Sequence, residues 1–308
     1  MPRRPHLVFD PVAAQKVVTS VRMRSRATKR PWNRRGEQGS RAGGDGAPVR
    51  AGRARRGTRE KRLHAVLVQA GWTSIAGCEI SSSLPYASIC VSGPETKASL
   101  EATLVHSGGF GGGGVLACGK AFLVAHDCCL MGLAGAGAEA RGGSTLSLTR
   151  CLIKKTEKGG VFLQGFSAGK ISKCEIHCSG FAGVEVLRNS HLVMDTSFVV
   201  GSRRGGVLVH VGSEVELHHC HISGSRMAGV DVRTAACATV QSCRISGGRA
   251  SGIYVSSGGE VTLRDNVIEK NLLEGIEVQE ATREGGGRSA LVHLCEGNVI
   301  TENGGDGR

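Results

Sequence analysis

The sequence predicts an all-β solenoid, a single-stranded right-handed parallel β-helix with three short strands in each 23-residue coil. Three observations predict it. A glycine returns at the same place in every period, an alternating pair of aliphatics follows it, and a small residue stands two places before an aliphatic late in each period. The glycines are Gly114, Gly137, Gly160, Gly183, Gly206, Gly229, Gly252 and Gly275, in register without an insertion. A fixed period of this length marks a repeat architecture.

The first strand of each coil is the Gly-Val-x-Val segment, as in Gly183-Val184-Glu185-Val186 and Gly206-Val207-Leu208-Val209. Side chains alternate along a strand, so the two aliphatics share one face. The second strand places apolar residues nine and eleven after the glycine: Leu146 and Leu148, Leu192 and Met194, Val215 and Leu217, Val261 and Leu263. The third places a small residue at fourteen and an aliphatic at sixteen: Cys151 and Ile153, Cys174 and Ile176, Cys220 and Ile222, Cys243 and Ile245, Asn266 and Ile268. Turn residues such as Ser223-Gly224-Ser225 separate the segments.

Each segment alone is too short to persist. Stacked on its counterpart one coil later, at about 4.8 Å, it gains a ladder on both sides. Strand twist and the crossover rule make the solenoid right-handed. A leucine-rich frame is absent, and recurring glycine and turn residues exclude helical repeats. The recurrent glycine predicts either a positive φ or a corner too tight for a Cβ.

Five of the twelve cysteines, Cys128, Cys151, Cys174, Cys220 and Cys243, occupy one position of the repeat, with Ser197, Asn266 and Asn298 as variants. They read as reduced, buried, small residues stacked in a ladder. No stretch is long and apolar enough to span a membrane, and the N-terminus lacks the apolar core of a secretory signal, which predicts an intracellular protein.

Charge divides the chain. Residues 1–64 hold 18 Lys/Arg against 4 Asp/Glu, leaving 21 against 22 for the remainder, so net charges are +14 and −1. Residues 1–64 therefore read as a basic, disordered arm, and any nucleic-acid contact is expected only through it. Residues 65–113 read as one or two degenerate coils: Ile89 alternates with Val91, Leu100 with Ala102 and Leu104, and Cys78-Glu79-Ile80 repeats the wording of Cys174-Glu175-Ile176. Residues 114–308 are the regular β-helix. The last coil carries nine extra residues near Glu280–Arg288, and Gly307 is the expected start of another coil. A solenoid without a cap there predicts a truncated chain or an end covered by a partner.

The repeat N/C-x-I, short turn, G-[VI]-x-[VI] over residues 114–308 resembles the right-handed β-helix repeat family, which shares the pectate-lyase fold. The family often stacks Asn where this chain has mostly Cys. Its members include β-helix domains of F-box-associated proteins, and that resemblance implies a non-enzymatic scaffold binding a protein or glycan along a sheet face. Much of the superfamily consists of polysaccharide lyases, hydrolases and epimerases, which is the alternative.

Residues two after the glycine face outward and alternate acid with apolar: Glu139, Phe162, Glu185, Leu208, Asp231, Tyr254 and Glu277. These are the candidate binding residues. Successive acids are two coils, about 9.6 Å, apart, at the outer limit for a glycosidase pair. The plain alternative is a solvated face. No compact Asp/Arg cluster is expected, and no catalytic residue, cofactor or metal ligand is assigned. In His218-His219-Cys220-His221, His219 and His221 are expected to share an outward strand face, too few ligands for zinc.

Overall fold

The computed structural model describes residues 23–24, 64–107, 112–279 and 289–304. Three parallel sheets run the length of a right-handed β-solenoid. The first sheet has ten strands, from Val66–Val68 through Val184–Leu187 to Ile276–Val278. The second includes His191–Asp195 and Glu214–His218, and the third includes Glu175–His177 and His221–Ser223. The register holds rung by rung: Val161 pairs with Val184, Val184 with Val207 and Val207 with Val230. The alternating aliphatics Val161, Leu163, Leu192, Met194, Ile176 and Ile222 are fully buried along the common axis. Among the described residues no helix is long and apolar enough to cross a membrane.

Two full coils precede Gly114, and their step is irregular. Val66 pairs with Ile89 at the regular period, but the pairings of Trp72 with Lys97 and of Ile89 with Val115 each span more chain than that. Leu100 and Leu104 do not share a strand. Ala102, at φ 44°, turns the corner between Lys97–Glu101 and Leu104–His106, and Val105 is the inward residue. At the other end, Glu260 pairs with Leu291 and Val267 with Val299, so the extra residues fall between Val278 and Leu291 save one. Gly307 lies outside the described residues, as does the basic arm apart from Met23–Arg24, a two-residue strand antiparallel to Trp72–Ala76.

The corner glycine is explained by crowding, since none of the eight has positive φ. The aliphatic sixteen residues on, Ile222 for Gly206 and Ile176 for Gly160, lies over the site a Cβ would take. This ties the first and third elements of the repeat together physically.

The cysteine ladder is polar as well as small. Five of its side chains accept a hydrogen bond from the backbone N–H of the preceding coil: Cys151 N to Cys174 Sγ (3.4 Å), Cys174 N to Ser197 Oγ (3.0 Å), Cys220 N to Cys243 Sγ (3.3 Å), Cys243 N to Asn266 Oδ1 (2.9 Å) and Asn266 N to Asn298 Oδ1 (3.0 Å). The corner leaves that donor without a strand partner, and thiol, hydroxyl or amide supplies one. A second ladder, Ser167, Ser190 and Ser213, does the same at the preceding corner.

Substituting Cys220→Asn should leave the melting temperature unchanged or raise it. Asn266 Nδ2 donates to Val240 O at 2.8 Å, and the matching carbonyl for residue 220, Met194 O, already faces Cys220 Sγ at 3.4 Å. A clear drop in melting temperature would overturn this equivalence. Hydrogen bonding to Cys151 and burial push the Cys174 thiol up, and Cys243 and burial do so for Cys220. A thiol reagent should therefore label exposed Cys178 and Cys237 and spare Cys174 and Cys220 in the native state.

Candidate functional site

The seven candidate residues form one continuous outward row on the first sheet, each paired with the next: Glu139 with Phe162, Phe162 with Glu185, Glu185 with Leu208, Leu208 with Asp231, Asp231 with Tyr254, and Tyr254 with Glu277. The face is not simply solvated. All seven are at least half-buried, and Asp231 is only 3% exposed. A second row, two residues further along each strand, runs beside it and contributes Arg141, His210 and Arg233.

A third row was not anticipated. It stands two residues before each corner glycine and holds Lys158, Phe181, Arg204 and Met227. Phe181 N donates to Lys158 O, Arg204 N to Phe181 O, and Met227 N to Arg204 O, at 3.2, 3.1 and 3.2 Å. These residues form a rim along the edge of the first sheet. Between rim and strand rows lies a cleft of about 650 Å³, lined by Glu139, Arg141, Lys158, Phe162, Phe181 and Glu185 among others. Its end is built from Gly112, Gly113 and Gly135, whose backbones pack too closely for a Cβ; one at Gly135 would meet Gly113 N at 2.5 Å. The glycine-rich stretch thus does more than turn the chain: its bare backbone forms part of the wall there, beside Tyr86 and Ala136.

Acid, cation and ring combine into a unit that occurs at Glu139 and again at Asp231, with a rim stack between the two. Arg141 donates to Glu139 and lies over the Phe162 ring at 5.8 Å. Two coils on, beside Glu185, Arg204 stacks on Phe181 at 3.9 Å. Two coils further, Arg233 donates from Nε and Nη2 to Asp231 Oδ1 and Oδ2 at 2.5 and 2.6 Å, and its guanidinium lies 4.7 Å from the Tyr254 ring centre. A planar cation can stack on a ring and still present N–H groups at its edge. Asp231 and Arg233 thus form a single buried ion pair, one acid with one cation rather than several converging Asp. It was hidden because both residues look like ordinary exposed strand positions in the repeat.

Burial pushes the Glu185 carboxyl above the usual carboxylate range, opposed by the charge of Arg204. His210 stands beside Arg233 in the second row. Its Nε2 is buried and has no hydrogen-bond partner among the described residues. Burial holds its pKa down, with Arg233 adding to that effect and Asp231 opposing it, so the imidazole is neutral at pH 7. Glu277 accepts a hydrogen bond from the Ser251 hydroxyl.

The four-residue histidine run is not one strand. His218 ends a strand of the second sheet, His219 turns the corner at φ 52°, Cys220 points inward and His221 begins a strand of the third sheet. The expected shared face of His219 and His221 does not exist, because a sheet boundary falls between them.

The fold and this face define a right-handed parallel β-helix with a cleft beside its first sheet. The chain belongs to the right-handed β-helix family: the family model "Right handed beta helix region" matches residues 62–197 and 159–307. Solved structures with the same fold include two Azotobacter vinelandii mannuronan C-5 epimerase A-modules. The AlgE6 module is 15% identical with a TM-score of 0.60, covering 79% of this chain and 81% of its own. The AlgE4 module is 16% identical with a TM-score of 0.50, covering 79% and 82%. The periplasmic alginate epimerase AlgG is 14% identical with a TM-score of 0.51, covering 78% and 72%. No curated protein matches the chain significantly.

Proposed function

We propose that the protein holds an extended, uronate-containing polysaccharide along the outward face of its first sheet. The observation that carries this is the recurrence of a carboxylate every two coils, at residues 139, 185 and 231, flanked by guanidinium–ring stacks on the strand rows at Arg141–Phe162 and Arg233–Tyr254 and on the rim at Arg204–Phe181. Two coils span about 9.6 Å, close to the length of two sugar units in an extended chain. Aromatic rings pack against sugar faces, carboxylates accept from hydroxyls, and rim cations Lys158 and Arg204, which have no ion pair among the described residues, suit a sugar carboxylate. The fold likeness to alginate epimerases agrees with this choice of polymer without extending to residue roles.

A second reading makes the protein an enzyme of the lyase or epimerase kind; it rests on the unpartnered Nε2 of His210, which is buried and would have to turn outward to meet a bound polymer. A neutral imidazole beside a guanidinium can take a proton from the carbon next to a sugar carboxylate.

Calorimetry with polymannuronate, polygalacturonate and a neutral glucan tests both. Binding is expected for a polyuronate and not the glucan, with Phe181→Ala or Arg204→Ala weakening it about tenfold, the scale of losing one good contact. Proton NMR of the polymer in heavy water then reports exchange, unsaturation or inversion at the acidic carbon, and His210→Ala should abolish any of these. Failure of every polysaccharide to bind would overturn the proposal and return the face to a protein-binding scaffold.

A further inference from the structure

We propose that His191, Glu214 and Glu216, on the outward face of the second sheet, form a binding site for a divalent transition-metal ion of the zinc class. Strand register brings them together. His191 pairs directly with Glu214, and Glu216 stands two residues further along the same strand on the same face. One ligand atom from each lies within 4.8 Å of the other two. His191 Nε2 is 3.6 Å from Glu216 Oε1. Zinc bonds of about 2.1 Å in a tetrahedron place neighbouring ligand atoms about 3.4 Å apart, so this pair already sits near the required edge. A rotamer adjustment of Glu214 on the order of 1 Å completes the set.

Three features separate this from a plain surface ion pair. Two carboxylates are adjacent, and neither has a Lys or Arg partner among the described residues. Glu216 is gripped from its other oxygen by His218 Nε2 at 3.3 Å, which fixes the direction of Oε1 toward His191. Outer contacts of this kind raise metal affinity. Ordered, register-locked strands also hold the ligands without a loop to organise. An imidazole with two carboxylates suits zinc better than calcium or magnesium, which take oxygen alone. Solvent access to all three leaves room for water at the fourth position. The site lies on a different sheet from the cleft and stands independently of the polysaccharide reading.

Zinc titration of the full chain by calorimetry, with cobalt substitution read by visible absorption, tests this. One saturable site with micromolar affinity and a tetrahedral cobalt spectrum is expected. His191→Ala and Glu216→Gln should each weaken zinc at least about tenfold, and His218→Ala by less, while His293→Ala, at an exposed His–Glu pair elsewhere on the sheet, should change nothing. All four positions are on the surface, and circular dichroism checks that each variant folds. No saturable zinc site, or zinc binding equal in the parent, His191→Ala and Glu216→Gln, would overturn the proposal.

Discussion

Gly206→Val is expected to lower stability by about 3 kcal/mol, the upper range for forcing volume into a packed core. A Cβ there would overlap Ile222 Cγ2 and lie 2.5 Å from Gly229 O and 3.1 Å from Ser225 Oγ. The blocking carbonyl is not free to retreat, because Gly229 O accepts the ladder hydrogen bond from Val207 N at 2.9 Å. Relief would break the rung. Gly212→Ser is the control. Gly212 has φ +66°, yet the same corner in other coils holds Lys120, Phe166, Asn189 and Ala235 at φ 68°, 62°, 58° and 55°. A left-handed residue there costs about 1 kcal/mol, and the nearest obstacle is the movable end of Asn189. Urea unfolding of the two variants in parallel decides it; equal losses would mean that crowding is not what keeps glycine at position 206.

Arg233→Ala is expected to cost about 2–3 kcal/mol at pH 7, less than the roughly 3–5 kcal/mol for removing one member of a fully buried pair. The variant leaves the Asp231 carboxylate, only 3% exposed, without its two donors. The figure is reduced because the Arg233 side chain is itself 35% exposed. Arg233→Lys keeps the charge but loses the fork and the stacking on Tyr254, so it should fall between. A shift in unfolding free energy below about 0.5 kcal/mol for Arg233→Ala would show the pair to be an ordinary surface contact. The same variant should also weaken polyuronate binding, which separates a positioning role for Arg233 from a purely structural one.

The regular coils were legible because identical residues recur at fixed steps. Val184, Leu192 and Ile176 are inward for the same reason as their counterparts one period away, and period-two alternation assigns a face without coordinates. The candidate row from Glu139 to Glu277 followed from that alternation. The coils before Gly114 were harder, since their longer steps break the count, and Ala102 resembles a strand residue although it turns a corner. The histidine run misled for a related reason: strand periodicity was extended across His219, where the backbone changes sheet.

By itself the sequence determined the solenoid, its period, its inward faces and the row of alternating acids, because each depends only on residues at fixed separations along the chain. What only the tertiary structure decided depends on how far side chains reach across coils. Lys158 and Phe181 of the rim line one cleft with the strand rows, and Arg204 reaches back one coil to stack on Phe181. The Asp231–Arg233–Tyr254 unit joins two coils through side-chain length and ring orientation. The corner glycine likewise left two explanations open in one dimension. Three dimensions chose crowding, because Ile222 and the Gly229 carbonyl already fill the space where a Cβ would stand.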